Sequence, residues 1–167
     1  MSDKIVPSGS QAIPVEVAAQ LPNSFLPDAN WADAFEIETR REFKDMRSLA
    51  EQTIGTMPRW ARALLMVRNA LVVPLKLKSG SLNDEQDAAN YVAFFPILEE
   101  TKDQIVLGLD DRHLDFRIIV DRRKTAESFR LRATTLVNRH NTFGRIYITL
   151  VTPFHRLIVQ SVLKNAL

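Results

Sequence analysis

Three residues at alternating positions have side chains that could act together on a substrate. His113, Asp115 and Arg117 are spaced by two, so on a β-strand they share one face. A carboxylate beside an imidazole can orient it as a base, and an arginine can hold an anion. The alternative interpretation is a ladder of cross-strand pairs on the outer face of a sheet. Which interpretation holds depends on whether this face turns toward a cavity or toward solvent.

Three more candidates lie near the C-terminus. Arg145 and Tyr147 are close to a predicted helix start, where an anion is favoured, although both could instead cap and dock the helix. His155, after Phe154, could be the polar group of an apolar pocket. It could instead serve the backbone carbonyl that Pro153 leaves without its helical partner. The sequence leaves both alternatives open.

Several classes of chemistry lack the residues they need. The chain has no cysteine, which excludes a thiolate nucleophile and a cysteine-ligated metal. The three histidines stand apart, and no H-E-x-x-H, P-loop, G-x-S-x-G or G-x-G-x-x-G pattern occurs, so we expect no metal and no cofactor. The basic run at 122–124 has only Phe129 as a nearby aromatic residue, so we expect no nucleic acid.

Length and composition indicate an ordinary globular domain. The 167 residues, 46% of them hydrophobic and 25% charged, suffice for one domain with its own core. We see no signal peptide, and the two most apolar stretches, Met57–Lys78 and Ile146–Leu163, carry charged residues or proline that disfavour membrane insertion. We therefore expect a cytoplasmic, soluble protein.

The charge is distributed unevenly. Residues 1–111 contain 11 Lys and Arg against 17 Asp and Glu, a balance of −6, and residues 112–167 contain 11 against 3, a balance of +8. A basic half could attract an anionic partner. The plainer interpretation is that the two halves neutralise each other within one domain.

The chain divides into an N-terminal segment, 1–30, that we expect to be flexible or irregular, and a single domain, 31–167. Ala34–Thr39 alternates apolar and polar residues as a half-buried strand does, and Lys44–Ile54 has helical spacing. A second helix is predicted after Thr56, with Trp60 and Leu64 on its apolar stripe. A polar loop is predicted at 78–90.

The remainder predicts an antiparallel sheet closed by a helix. Four strands joined by short turns are predicted at Tyr91–Glu100, Gln104–Leu109, His113–Arg122 and Ser128–Asn138. From Phe143 onward, apolar residues recur in steps of three and four, which predicts an amphipathic helix of about 24 residues, kinked at Pro153. The alternative is a strand at Arg145–Val151 followed by a short helix.

This element order resembles the helix-grip superfamily of START-like and birch-pollen-allergen-like proteins. More closely, the chain resembles a bacterial family of domains of unknown function in or near that superfamily. The resemblance extends from Trp31 to Ala166 and rests on stretches at 57–60, 107–117, 134–135, 141–147 and 152–156. It implies an α+β fold in which a curved sheet wraps the last helix around an apolar cavity, with two shorter helices after the first strand.

The leading hypothesis is a protein that binds a small apolar or amphipathic molecule, possibly with an acidic head, in that cavity. The candidate ligand-binding residues are Trp60, Leu64, His113, Asp115, Arg117, Arg145, Tyr147, Phe154 and His155. An enzyme of the cyclase, dehydratase or hydrolase kind is a second hypothesis, with His113–Asp115 or His155–Tyr147 as its acid–base pair. A third is a protein-interaction module, and a homodimer is compatible with each.

Overall fold

In the computed structural model of the protein, residues 13–56, 59 and 90–167 are described. They form seven strands and two helices. In chain order these are β1 (Val15–Val17), β2 (Trp31–Thr39), α1 (Met46–Thr53), β3 (Tyr91–Val92), β4 (Phe95–Glu100), β5 (Gln104–Asp110), β6 (Leu114–Lys124), β7 (Phe129–Arg139) and α2 (Thr142–Lys164).

The strands form one antiparallel sheet in the order β1-β2-β7-β6-β5-β4-β3. β4 to β7 follow one another through short turns, whereas β2 joins the distant β7, with Phe35 opposite Ala133. The two-residue period divides each strand between two faces. On β2, for example, Phe35 and Ile37 are buried in the core while Glu38 is exposed. The predicted antiparallel sheet is therefore confirmed.

The main core lies between one face of the sheet and the two helices. α1 begins at Asp45, whose carboxylate accepts a hydrogen bond from the Ser48 backbone N–H at 2.7 Å. This cap satisfies a donor that has no partner inside the helix. Met46, Leu49 and Ala50 are completely buried against the sheet. The helix predicted over this segment is confirmed, with slightly narrower bounds.

α2 is a continuous helix of 23 residues. Asn141 caps it by accepting a hydrogen bond from the Gly144 N–H at 3.0 Å, and the helix passes through Pro153 without a break. The alternative strand at Arg145–Val151 is therefore wrong. At the far end, Val162 and Leu163 are buried in the main core.

The other face of the sheet is partly covered by the N-terminal segment. β1 pairs with β2, and Leu26 is buried against Val106, Ile119 and Leu136. The sequence of residues 1–30 predicts a flexible or irregular segment, and it predicts neither the strand nor this cluster. Both depend on contacts with strands far away in the sequence.

Two finer expectations differ from the structure. The sheet is open and not strongly curled, so it does not wrap α2 as a helix-grip sheet was expected to. Strong coiling needs repeated bulges or a large strand stagger, and the ladders between described strands shift register only between Ile97 and Glu99. One short helix, α1, follows β2 in the described residues; the second predicted helix lies outside them, as does the loop at 78–90 except Asn90.

Candidate functional site

An apolar cavity of about 290 Å³ lies between the sheet and α2. Its described walls come from the core-facing positions of β2, β4, β5, β6 and β7 and from the inner face of α2. The sheet side includes Phe116, Ile118 and Ala133, and the helix side includes Val151 and Val159. An apolar enclosure with few polar groups is the usual form of a small-molecule site.

Some of the side chains on the cavity wall are short. β7 contributes Ala133 and Thr135, and α2 contributes Val151 and Thr152. Protein interiors otherwise pack to nearly crystalline density, so an unfilled volume of this size needs a reason. A larger side chain at Ala133 would therefore reduce the volume available to a ligand.

A polar cluster adjoins this wall, and two of its members, Thr135 and His155, line the cavity. His155 on α2 brings Nε2 to within 3.2 Å of Thr135 Oγ1 and 3.3 Å of both carboxylate oxygens of Asp33. Asp33 and Thr135 are direct cross-strand neighbours on β2 and β7, which fixes the two acceptors side by side. The Trp31 ring packs edge-on against the imidazole, with centroids 5.8 Å apart. The cluster thus joins three elements around one ring nitrogen.

The neighbours of His155 indicate its tautomer. The Asp33 side chain is only 4% exposed and a carboxylate can only accept hydrogen bonds, so the tautomer that satisfies Asp33 is the one with hydrogen on Nε2. This N–H then points to Asp33 and Thr135 together. Because Nε2 has no lone pair left, the Thr135 hydroxyl does not donate to it. The hydroxyl proton can instead be donated to an oxygen in the cavity, whose wall Thr135 forms.

This arrangement can serve two chemical purposes. It can recognise the polar end of an otherwise apolar molecule, because the Thr135 hydroxyl lies on an apolar wall. It can also act as an acid–base pair, because a carboxylate beside the N–H of an imidazole makes the second ring nitrogen a better base. Among the described residues, Nδ1 of His155 makes no hydrogen bond.

Of the predicted candidates on α2, His155 and Tyr147 line the cavity. Arg145 is exposed, and Phe154 is 48% exposed and is not part of the cavity wall. Nor does His155 serve the carbonyl released by Pro153, since its ring bonds to the sheet. Tyr147 is eight residues from His155, about 12 Å along a helix, so these two do not form the expected pair.

The alternating residues at the start of β6 lie away from the cavity wall. Asp115 Oδ2 accepts a hydrogen bond from His140 Nε2 at 2.7 Å, and Arg117 forms an ion pair with Asp110. The intervening residues of β6, Leu114 and Phe116 among them, line the cavity, so Asp115 and Arg117 project from the other face.

His113, just before β6, supports the start of α2. Its Nδ1 accepts a hydrogen bond from Asn141 Nδ2 at 2.9 Å, and its ring packs on Phe143 with centroids 4.8 Å apart. His113 is likewise absent from the described cavity wall.

Two candidates cannot be placed, and two others come from the structure alone. Trp60 and Leu64 lie outside the described residues. Asp33 and Thr135 were not predicted as site residues. The available signal was the strand period: counting back by two from Phe35 places Asp33 on the core face, where a carboxylate is unusual. The strand predicted from the sequence begins at Ala34, three residues after the start of β2 at Trp31, and so leaves Asp33 out.

A wider and more open groove of about 870 Å³ lies along the strand ends, next to Phe43 and Phe129. It contains Arg122, but this guanidinium already donates to the Phe43 and Lys102 carbonyls and to Asp103. Because these three acceptors already bind the guanidinium, Arg122 is poorly suited to bind a ligand. Among the described residues, no group of three or more His, Cys, Asp or Glu side chains is placed to hold a metal ion.

Comparison with protein families gives one match. A model described as "Protein of unknown function (DUF2867)" matches residues 25–162, which includes both partners of the Asp33–His155 pair. No curated protein and no solved structure gives a significant match.

Proposed function

Because the chain belongs to the DUF2867 family, whose description assigns no activity, its function must be argued from its geometry, and we propose that it binds a small amphipathic molecule between the sheet and α2. The apolar body would occupy the cavity and the polar end would meet Thr135 and His155. The observation that carries the proposal is the apolar volume of about 290 Å³ with a polar cluster on its wall.

The cavity also limits the ligand. Its volume is close to the lower end of ligand sites, about 300 Å³, and matches roughly ten water molecules at about 30 Å³ each. The expected acidic head finds little support, because Arg117 and Arg145 lie elsewhere and Asp33 is 3.3 Å from His155 Nε2. A carbonyl or hydroxyl oxygen, accepting from the Thr135 hydroxyl, suits the cluster better.

A relationship to helix-grip proteins is also part of the proposal. An antiparallel sheet with a long C-terminal helix on one face and a cavity between them fits that fold, even though the sheet here is open. The fold analogy supports a binding function without specifying a ligand.

The binding proposal can be tested with 4-methylcyclohexanone, an eight-atom probe with an apolar ring and one carbonyl oxygen. We expect ligand-observed NMR to detect binding to the wild type. Ala133→Leu should weaken it at least about tenfold, because the added carbons occupy the ligand's space. Arg130→Leu is the matched control, since Arg130 is on the same strand but on the opposite, exposed face. Equal binding by Ala133→Leu and the wild type would refute the proposed site.

Thr135→Val tests the polar contact separately. This variant removes the hydroxyl at nearly constant volume, so it should weaken binding of the ketone but leave binding of methylcyclohexane unchanged.

Native mass spectrometry of the freshly purified protein complements the probe, because an extra mass that disappears on denaturation would reveal a ligand retained from the cell.

The Asp33–His155 contact favours a second candidate function, acid–base catalysis on the bound molecule. His155 lines the cavity and a second titratable group, Asp33, lies 3.3 Å from its Nε2, an arrangement that suits such catalysis. In D₂O, a base at this position should accelerate exchange of the α-hydrogens of 4-methylcyclohexanone. Exchange should fall to the background rate in His155→Gln and strongly in Asp33→Asn. Background exchange by a wild-type protein that does bind the ketone would exclude this proton abstraction and leave the binding proposal intact.

A further inference from the structure

α2 is apolar on two sides. Its inner side forms the cavity wall and the core, whereas a second set of large apolar residues faces outward. This outer stripe consists of Phe143, Ile146, Leu150, Phe154 and Leu157, whose exposed fractions are 43%, 56%, 66%, 48% and 56%. An ordinary surface helix carries polar residues on this side.

The stripe is continuous along the helix. Its members follow in steps of three or four residues, so at 100° per residue all of them lie within about 40° of Leu150. Arg145, Thr149 and Arg156 lie beside the stripe on one flank and are exposed. A narrow apolar seam with a polar flank is the pattern by which one helix packs against another.

The area is large enough for an interface. Five large side chains at about half exposure leave roughly 500 Å² of apolar surface on each copy, since a large side chain buries roughly 150–250 Å² in full. This is the size of the largest apolar patch on a typical monomer, about 300–600 Å², and such a patch is often functional. Two such stripes would bury about 1,000 Å², and their polar flanks would bring the total near the lower end, about 1,200 Å², of specific interfaces.

We propose that the outer stripe of α2 is the interface of a symmetric homodimer in which two copies of α2 pack antiparallel. The stripe is symmetric about Leu150: Ile146 and Phe154 are four residues to either side, and Phe143 and Leu157 are seven. A two-fold axis through Leu150 therefore places Phe143 against Leu157 of the second copy and Ile146 against Phe154. A two-fold interface requires this kind of self-complementary surface.

A second copy fits the stripe better than a lipid surface does. By length and composition α2 could cross a membrane, a test that a buried core helix also passes, and 17% of its most apolar stretch is buried in the fold. Its inner side is held to the sheet by Ile148, Val162 and the His155 contact with Asp33. Helices that lie on anionic membranes carry many Lys and Arg residues. Here Arg156 is paired with Glu16 at 3.0 Å, which places an acidic residue at the rim of the stripe.

Because the chain has no cysteine, cysteines introduced singly test the symmetry directly. Leu150→Cys should oxidise to a covalent dimer of twice the 19.0 kDa mass, since the residue meets its own copy at the two-fold axis. Thr149→Cys, one residue away and turned to the polar flank, is the control and should cross-link far less. Phe143→Cys mixed with Leu157→Cys should form the heterodimer in preference to either homodimer. Preferential self-linking of Phe143→Cys would indicate parallel helices and refute the proposed arrangement.

Sedimentation tests the assembly without a cross-link. The wild type at 100 µM should sediment as a dimer, and Leu150→Arg should sediment as a folded monomer because two like charges would meet at the axis. Thr149→Arg should remain dimeric. A monomeric wild type overturns the proposal, and so does a dimer that Leu150→Arg leaves intact. Co-sedimentation of a monomeric wild type with phosphatidylglycerol vesicles would identify a lipid surface as the occupant instead.

Discussion

At the scale of single residues, the placement of Asp33 is the most informative feature of the protein. A carboxylate that is 4% exposed carries a large desolvation cost unless it is paired. The nearest donor to it is Nε2 of His155, which approaches both oxygens at 3.3 Å, and one of these oxygens, Oδ2, has no well-aligned hydrogen bond. A buried polar group without a well-aligned hydrogen-bond partner is a common feature of catalytic and ligand-binding sites.

The second histidine pair, His140 with Asp115, makes a prediction about pH. Nε2 lies 2.7 Å from Asp115 Oδ2 and Nδ1 lies 3.3 Å from the Arg112 carbonyl oxygen, so the two acceptors favour the ring form that carries hydrogen on both nitrogens. The hydrogen bond to Asp115, followed by that to Arg112, raises the pKa of His140 above its ordinary value of 6.5. A raised pKa means that the stabilisation is complete below 6.5 and is lost as the pH rises through the folded-state pKa.

We therefore expect His140→Gln to lower the free energy of unfolding more at pH 5.5 than at pH 9. The difference should stay below about 1 kcal/mol, because the pair is partly exposed. Urea unfolding at the two pH values measures it. Asp115→Asn should remove most of this pH dependence even with His140 present. A loss in His140→Gln that is the same at both pH values would show that the charge of His140 does not stabilise the fold.

How much of the site could be predicted depends on the range of the contacts involved. His155 could be identified from its own helix, because it follows Pro153 in an apolar stretch, where a polar side chain can serve a free carbonyl or enter a pocket. Asp33 and Thr135 could not be joined to it, because their proximity depends on β2 pairing with β7 across about 100 intervening residues. The role of His113 and Asp115 was undetermined for the same reason: their partners, Asn141 and His140, belong to a loop whose path only the fold fixes.

At the scale of elements, the start of α2 depends on one glycine. A Cβ at Gly144 would lie 2.4 Å from the His113 carbonyl oxygen, and this neighbour is backbone and cannot turn away. Gly144→Ala should therefore destabilise the protein by about 1–3 kcal/mol, the usual cost of overpacking, although alanine is the better helix former. Denaturant unfolding measures the loss.

Arg145→Ala is the matched control, since this neighbouring side chain is exposed and should change stability by less than about 0.5 kcal/mol. A Gly144→Ala variant as stable as Arg145→Ala would mean that α2 does not approach the β6 start as closely as the structure indicates.

Elements with strong periodicity were the predictable ones. The alternation on β2, β6 and β7 and the three-and-four spacing of α2 each identified their element, and the unbroken spacing from Phe143 onward favoured the helix over the alternative strand. β1 has only three residues and Leu26 lies in an irregular stretch, so neither carries a periodic signal. The degree of sheet curvature depends on register shifts and bulges, which a single strand's sequence does not reveal.

At the scale of the whole molecule, the charge asymmetry of the sequence is resolved within the fold. Basic residues of the C-terminal part pair with acidic residues of the N-terminal part: Arg130 with Glu38, Arg132 with Glu36, Arg122 with Asp103, Arg117 with Asp110 and Arg156 with Glu16. The ladders β2–β7 and β5–β6 bring most of these pairs together. The uneven charge therefore supports the pairing of the two halves and does not indicate an anionic partner.

The cavity leaves part of the protein interior without packing contacts. An unfilled apolar volume forfeits dispersion contacts, so filling it should stabilise the fold unless side chains already occupy the space. We expect Ala133→Leu to raise the free energy of unfolding by about 0.5–2 kcal/mol while it blocks the ketone probe. Arg130→Leu, on the other face of β7, should show neither effect. Destabilisation by Ala133→Leu would mean that the wall has no room for three more carbons, and it would count against the cavity without any assumption about its ligand.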